Sequence, residues 1–318
     1  MRFDEPMAAH TTFRIGGPAD CYAEPGTVTQ LVNLVDVFSS AGCPVSVVGG
    51  GSNLLVADRG IRGAVISTAG LVGISSGEPD QAGAAVVTAG AGTLMDDLAG
   101  WCADRELAGL ERFAALPGTV GGAVFMNARC YERSVSDVFR EAECLVFAAR
   151  GCTLEKHGMN AAEWDYKKSP FQGRTGPDPT VLSEGSTIVV SARFALSRGD
   201  RGDLRREMAK YAADREAKGH FRFPSAGSMF KNDRAFGKPS GKIIDEAGLR
   251  GFSVGKARVA PWHGNIVVNE GGATADDVRM LVEEIRRRVL ETAGFDLECE
   301  VVFAGDWRAD TTFRENTV

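Results

Sequence analysis

Two glycine-rich loops are the segments of this 318-residue chain whose composition points most directly to chemistry. The first spans residues 49–55 and directly follows an apolar, β-branched run, and the second spans residues 116–123. Consecutive backbone N–H groups in such a loop can form a nest for a pyrophosphate, and glycine lets the backbone approach a ligand closely. Ser52 and Asn53 add side-chain hydrogen-bonding groups to the first loop. We therefore expect a ligand that carries phosphate.

Neither loop has the spacing of a dinucleotide-binding Rossmann unit or of a P-loop. Taken alone, each loop is equally compatible with a tight turn that has no chemical role. Two such loops in one chain, both next to apolar runs, favour one shared binding site for a phosphate-bearing ligand.

Helices and strands must position these loops, and the hydrophobic pattern predicts an alternation of both. A strand over 44–48 leads straight into the first loop. Further strands are predicted over 61–66, 85–89, 138–150, 186–196 and 297–303.

Capping patterns predict where the main helices begin and end. Thr27 opens a helix that ends at Gly42. A linker over 197–202 precedes a helix capped by Asp203, and a last long helix covers 274–294. The stretch from about 170 to 180 is expected to be a loop.

The elements divide into three predicted pieces, namely residues 1–69, 70–200 and 201–318. From about Asp306 the chain is polar, and we expect a disordered tail there. The predicted fold class is α+β.

Several motifs occur in the order that is typical of one enzyme family, from about residue 10 to residue 305. They are TTFRIGG (11–17), GGGSNLLVADRGIRGAVI (49–66), LPGTVGGAVFMNA (116–128), PSAGSMFKN (224–232), SGKIIDEAGLRG (240–251), HGNIVVN (263–269) and LECEV (297–301). The chain resembles the UDP-N-acetylenolpyruvoylglucosamine reductase (MurB) family. The short stretch after Pro170 leaves no room for the long tyrosine-bearing insertion of one subclass, so the chain resembles the shorter subclass.

The resemblance implies a fold and two cofactors. The fold would be an FAD-binding fold of the vanillyl-alcohol-oxidase type in two subdomains, followed by a C-terminal α+β substrate domain. The cofactors would be FAD and NADPH. The family match assigns FAD binding to Arg14, Gly49, Gly50, Gly51, Ser52, Asn53, Leu54, Pro117, Gly118, Thr119, Gly121, Gly122 and Asn127.

The resemblance also implies a cytoplasmic reaction of peptidoglycan precursor synthesis. NADPH would reduce the flavin and leave, and UDP-N-acetylglucosamine enolpyruvate would then enter the same site. Hydride would pass to C3 of the enolpyruvyl group, and C2 would be protonated to give UDP-N-acetylmuramate. The flavin performs the hydride chemistry, while the protein orients the substrate, stabilises charge and supplies the proton.

Three residues match the catalytic positions of the family. Ser228 matches the proton donor and Glu300 the catalytic carboxylate, while Lys167 stands where the family has an arginine that steadies the developing enolate. Lysine keeps the charge but lacks the planar, bidentate fork of arginine. Whether Lys167 or Lys168 replaces that arginine stays open. The family's substrate-lining positions fall on Tyr166, Lys231 and Asn232.

Each of these residues also has a structural interpretation. Ser228 is compatible with a turn serine, Glu300 with the solvent face of a strand, and Lys167 with a solvated loop. Arg129 and Cys299 depart from the family pattern near the flavin loop and between the two glutamates. These departures leave the fold prediction unchanged. They bear on whether the substrate is bound in the geometry that is usual for the family.

Composition excludes several other classes of protein. A net charge of −6 disfavours broad binding to nucleic acid or to an anionic membrane. The seven cysteines are scattered without a CxxC pair, and the histidines lack metal-ligand spacing, so neither a disulfide framework nor a metal site is expected. The apolar stretch over 113–126 is too short to span a bilayer. The family resemblance implies a small UDP-sugar as the partner, and the expected state is a monomer.

Two alternative functions remain at this point. One is a relative that binds FAD or a UDP-sugar without turnover, which the residues at 129 and 167 suggest. The other is an oxidase or dehydrogenase of the same fold that acts on another substrate.

Overall fold

The computed structural model describes residues 1–79, 83–148, 151–173 and 178–307. The α-helices in these ranges are α1 (Val28–Ser40), α2 (Met95–Ala103), α3 (Val120–Phe125), α4 (Arg201–Ala217), α5 (Ser240–Glu246) and α6 (Ala275–Ala293). The strands are β1 (Arg2–Pro6), β2 (Pro18–Ala23), β3 (Val45–Val48), β4 (Leu54–Val56), β5 (Ile61–Ser67), β6 (Ile74–Ser76), β7 (Ala85–Gly90), β8 (Leu107–Ala108), β9 (Arg129–Cys130), β10 (Arg133–Ser134), β11 (Phe139–Phe147), β12 (Cys152–Gly158), β13 (Thr187–Arg198), β14 (Ser253–Val254), β15 (Ala257–Val259), β16 (Val267–Asn269) and β17 (Val302–Ala304).

The first sheet has the strand order β1-β2-β5-β3, in which β5 runs parallel to both β2 and β3. Helix α1 covers this sheet by burying Leu31 and Val35 against Val45 and Ile66. The helix begins at the predicted cap, where the Thr27 side chain accepts the Gln30 N–H. The first glycine-rich loop leaves the sheet at the end of β3, as predicted.

The second sheet is antiparallel, with the order β12-β11-β13-β7-β6 and β8 paired to the end of β13. The second glycine-rich loop leads into α3, whose Val120 and Val124 are buried together with Phe113 and Phe194. Strand β12 was not predicted, because it is largely exposed and its side chains are mostly polar. The strands predicted over 61–66, 85–89 and 186–196 are confirmed.

The C-terminal part places α6 against the small sheet β14-β15-β16. The predicted helix over 274–294 is confirmed, with a capping box between Thr274 and Asp277 and with Gly294 at φ +73° as its C-cap. Its buried stripe comprises Ala275, Val278, Leu281, Val282, Ile285 and Val289. In the parts of the chain that the structure describes, no helix is both long and apolar enough to cross a bilayer.

The segment predicted as one strand over 297–303 in fact changes partner along its length. Its first part pairs antiparallel with the segment after Ser228, through a bridge between Phe230 and Cys299. Its last part is β17, which pairs parallel with β4, so that Val302 lies opposite Leu54. This change of partner brings the C-terminal segment next to the first glycine-rich loop.

Helix α4 begins earlier than predicted, and its cap is Asp200 rather than Asp203. The Asp200 side chain accepts the Asp203 N–H, and β13 continues to Arg198, so the predicted linker over 197–202 is mostly regular structure. The predicted strand at 138–150 ends at Phe147. Positions 149–150, part of the loop predicted at 170–180 and the tail from residue 308 lie outside the described residues. The division at residues 69 and 200 stays a prediction.

Candidate active site

A cleft of about 1070 Å³ lies where the two glycine-rich loops face the C-terminal segment. Both loops line it, and so do Lys167, Ser228 and Glu300, which belong to three distant parts of the sequence. The fold therefore brings the three predicted catalytic residues together with all of the predicted FAD-binding residues except Asn127.

The two loops pack against each other so closely that glycine is required. A Cβ atom on Gly50 would lie 3.1 Å from Cα of Gly118, and one on Gly49 would lie 2.9 Å from Oγ1 of Thr119. Gly51 adopts φ +62°, and a Cβ atom there would lie 1.9 Å from the backbone oxygen of His10. These contacts explain the composition of the first loop as a packing requirement as well as a binding one.

Within the described part of the chain, the first loop uses its carbonyl groups in backbone hydrogen bonds but not the N–H groups of positions 50–53. The carbonyl oxygens of Gly51 and Asn53 accept the N–H groups of Thr12 and Val302. Among the described residues, the N–H groups of positions 50–53 take part in no backbone hydrogen bond of the loops and turns. Such a row of unpaired donors can form a nest for an anion.

An unpaired hydroxyl lies at the junction of the two loops. Thr119 is only 2% exposed, and its Oγ1 has no hydrogen-bond partner among the described residues. The side chain of Arg14 is exposed at the edge of the cleft and adds a positive charge. A diphosphate, such as the one that FAD carries, fits this donor set.

Ser228 lies on a segment that is tied down on both sides. Thr12 Oγ1 donates to the Ser225 carbonyl over 2.7 Å, and Met229 N–H donates to the Asn265 carbonyl over 2.8 Å. Gly227 adopts φ +76°, and a Cβ atom there would meet nothing within 4 Å. The cleft therefore has open space directly beside Ser228.

The backbone of Glu300 is hydrogen-bonded to Met229, which follows Ser228, and to the first loop. Its N–H donates to the Met229 carbonyl over 2.8 Å, and its own carbonyl accepts Nδ2 of Asn53 over 2.9 Å. The Glu300 side chain is 11% exposed, whereas the side chain of Glu298 is 69% exposed. The structure thus separates two glutamates that the strand pattern placed on the same face.

Lys167 forms an ion pair with Glu300 in the cleft wall. Its Nζ lies 2.5 Å from Oε1 of Glu300, and the Lys167 side chain is 13% exposed. Lys167 occupies the left-handed region at φ +56°, within a turn closed by two hydrogen bonds between Asp165 and Lys168. A left-handed conformation in a non-glycine residue stores strain that the surrounding structure must hold. Lys168 is exposed, so Lys167 is the lysine that faces the cleft.

Asn127 was predicted to bind FAD, but it is not among the residues that line the cleft. Its side chain instead makes hydrogen bonds within the protein. Nδ2 donates to the Asp165 carbonyl over 2.8 Å, and Oδ1 accepts the Ser136 N–H over 3.0 Å. Asn127 therefore supports the turn that carries Lys167. The other residues predicted to bind FAD line the cleft.

The three residues predicted to bind substrate lie together beside the cleft rather than in its wall. The hydroxyl of Tyr166 accepts the Asn232 N–H over 3.4 Å. Lys231 pairs with Glu298 over 2.6 Å. Their role in binding stays a prediction.

The part of the cleft wall formed by the end of α4 and the segment after it was not predicted from the sequence. Arg215, His220 and two exposed phenylalanines, Phe221 and Phe223, line the cleft. Burial, together with the nearby charge of Arg215, lowers the pKa of His220 to about 4. The sequence did contain a signal that Arg215 is buried. It continues the helical stripe of buried residues formed by Leu204, Met208 and Tyr211.

Comparisons with known proteins agree with this geometry. Residues 219–304 match the model of the UDP-N-acetylenolpyruvoylglucosamine reductase C-terminal domain, and residues 19–154 match an FAD binding domain. Proteins named UDP-N-acetylenolpyruvoylglucosamine reductase from Treponema denticola and Treponema pallidum are 43% and 42% identical to this chain, each over 96% of it and 94% of the relative. The crystal structure of UDP-N-acetylenolpyruvylglucosamine reductase (MurB) from Thermus caldophilus is similar at a TM-score of 0.71 and 31% identity, over 94% of this chain and 97% of that one. The predicted fold, an FAD-binding portion of the vanillyl-alcohol-oxidase type followed by a C-terminal domain, is confirmed.

Proposed function

The chain belongs to the UDP-N-acetylenolpyruvoylglucosamine reductase family, and from this premise we propose that Ser228, Glu300 and Lys167 carry its reaction. That reaction is the NADPH-dependent reduction of UDP-N-acetylglucosamine enolpyruvate to UDP-N-acetylmuramate, a step of peptidoglycan precursor synthesis. Its place in the cell would be the cytoplasm. We propose a monomer as the active unit.

The two glycine-rich loops would hold FAD, with the free N–H groups of positions 50–53 and the Thr119 hydroxyl on its diphosphate. Bound FAD supplies hydride transfer, which no amino-acid side chain can provide. The protein must then orient the enolpyruvyl group, stabilise the negative charge that develops on it and deliver a proton to C2.

Ser228 would deliver that proton. In the described structure its hydroxyl is not engaged in any protein hydrogen bond, and the segment that carries it is fixed by Thr12 and Asn265. A hydroxyl is a weak acid, so it needs a fixed position and a nearby positive charge. Lys167 would provide that charge.

Glu300 would fix the positions of Lys167 and Ser228. Its carboxylate holds the Lys167 ammonium in the cleft wall, and its N–H bond to the Met229 carbonyl sets its distance from Ser228. Asn53 links the same backbone to the first loop, so a shift in the loop would move the catalytic segment as well. The observation that carries the proposal is this convergence of three distant segments on one cleft with both loops.

The test is a product analysis under turnover conditions. Purified protein is incubated with NADPH and UDP-N-acetylglucosamine enolpyruvate, and product mass, NADPH consumption and oxygen uptake are followed together. We expect a product two hydrogens heavier than the substrate and one NADPH consumed for each product molecule. NADPH consumption matched by oxygen uptake, with no reduced product, would assign the chain to the oxidases instead. Flavin binding without any NADPH consumption would identify a binding-only relative.

A further inference from the structure

Arg215 is a buried guanidinium group with no carboxylate partner among the described residues. It lies in the last turn of α4, lines the cleft and is 7% exposed. One Nη donates to Sγ of Cys130 over 3.0 Å, and the guanidinium carbon lies 5.3 Å from the centre of the Tyr131 ring. Its Nε is buried without a hydrogen-bond partner.

An arrangement of this kind is costly unless an anion completes it. A buried charge that lacks a counter-ion loses its hydration without gaining an ion pair. Cys130 does not provide the counter-ion, because burial raises the pKa of its thiol even though Arg215 lies beside it. The thiol is therefore neutral at physiological pH.

The nearby ion pair does not supply the missing anion either. The Glu300 carboxylate is already matched to Lys167 at 2.5 Å. Lys167, Glu300 and Arg215 all line the same cleft. Because Lys167 and Glu300 balance each other, Arg215 adds to the cleft wall a positive charge that is unmatched among the described residues.

We propose that Arg215 binds the carboxylate of the enolpyruvyl group, supplying from α4 the guanidinium fork that Lys167 cannot provide. This inference rests on the proposed function. A guanidinium offers parallel N–H donors that match a carboxylate, whereas an ammonium acts as a point charge. Lys167 remains bound to Glu300, and Arg215 orients the substrate so that C2 faces Ser228.

Three variants test the assignment in the FAD-loaded protein. Arg215→Met removes the charge, and Arg215→Lys keeps the charge but loses the fork. The matched control is Arg206→Met, because Arg206 is an exposed arginine near the beginning of the same helix, paired with Asp203. The two half-reactions are followed separately by flavin absorbance under anaerobic conditions.

We expect Arg215→Met to leave flavin reduction by NADPH unchanged and to lower kcat/KM for reoxidation by the enol ether about 10²-fold. Arg215→Lys should have a kcat/KM for reoxidation about tenfold higher than that of Arg215→Met. Arg206→Met should behave as the wild type. If wild-type protein is not reoxidised by the enol ether, the proposed function fails. If wild type and Arg215→Met are reoxidised equally well, only the role of Arg215 is refuted.

Binding and stability provide readouts that do not depend on turnover. UDP-N-acetylglucosamine lacks the enolpyruvyl carboxylate, so wild type and Arg215→Met should bind it with the same affinity. Weaker binding of this probe by Arg215→Met would mean that Arg215 binds the diphosphate. Slower flavin reduction by NADPH in the variant would mean that Arg215 binds the nicotinamide cofactor. Either outcome would overturn the proposal. The ligand-free Tm of Arg215→Met should equal or exceed that of wild type, because an uncompensated buried charge is removed. A lower Tm would indicate a structural role through Cys130 and Tyr131.

Discussion

Replacing Gly227 with alanine should weaken FAD binding, whereas the same change at Gly248 should not. Both glycines are left-handed, at φ +76° and +71°, and a Cβ atom on either would meet nothing within 4 Å. The two substitutions therefore impose the same backbone strain and cause no clash inside the protein. They differ in place, because Gly227 lines the cleft beside Ser228 and Gly248 lies just beyond α5.

The expected magnitudes follow from these geometries. A non-glycine residue in the left-handed region costs about 1–2 kcal/mol, so both variants should lose a similar amount of stability. At Gly227 the added methyl group also occupies space that the flavin would fill. Overpacking by one such group costs about 1–3 kcal/mol, which corresponds to a weakening of FAD binding of about 5- to 150-fold.

Two measurements separate the effects. Thermal unfolding of both variants reports the shared backbone cost, and a fluorescence titration of flavin-depleted protein with FAD reports the affinity. Equal FAD affinity in Gly227→Ala and Gly248→Ala would refute the placement of the flavin against this wall of the cleft.

Three further predictions concern catalysis and pH. Ser228→Ala should leave flavin reduction by NADPH intact and slow reoxidation by the enol ether about 10²–10³-fold in rapid-mixing experiments, and unchanged reoxidation would exclude the proton-donor role. Lys167→Arg should preserve turnover, because it keeps the positive charge that pairs with Glu300 while Arg215 already supplies the guanidinium fork; a collapse of the rate would mean that the pocket is built around lysine. Stability should fall as pH drops from about 6.5 to about 4, because His220 then binds a proton in the unfolded chain while burial and Arg215 keep it neutral when folded. His220→Gln should flatten that part of the Tm–pH curve, and an identical slope in variant and wild type would contradict this origin.

Local patterns were sufficient where one face of an element is buried throughout. The apolar stripe and both caps of α6 predicted its bounds, and the β-branched run over 44–48 predicted the strand that feeds the first loop. The composition of both glycine-rich loops indicated a shared site, and the structure packs them together at Gly50 and Gly118.

Long-range pairing decided what local patterns left open. The alternation of side chains predicted that Glu298 and Glu300 lie on the same face of a strand. Pairing with the segment after Ser228 instead buries Glu300 and leaves Glu298 exposed. Asn127 matched a family motif, yet its side chain supports the turn that carries Lys167. The two positions are too far apart in the sequence for local spacing to predict this contact. Arg215 escaped attention because a charged residue in a polar helix is usually solvated, and its burial depends on packing against Cys130.

The most direct test of the account is an anaerobic visible spectrum of the FAD-loaded protein, recorded before NADPH, after NADPH and after UDP-N-acetylglucosamine enolpyruvate. We predict a yellow protein that bleaches with NADPH and regains its colour with the enol ether, because one cleft serves both half-reactions. A protein that bleaches but does not regain its colour with the enol ether would contradict the assignment of Ser228, Glu300 and Lys167 to this substrate. A protein that neither carries nor binds FAD would contradict the assignment of the two glycine-rich loops.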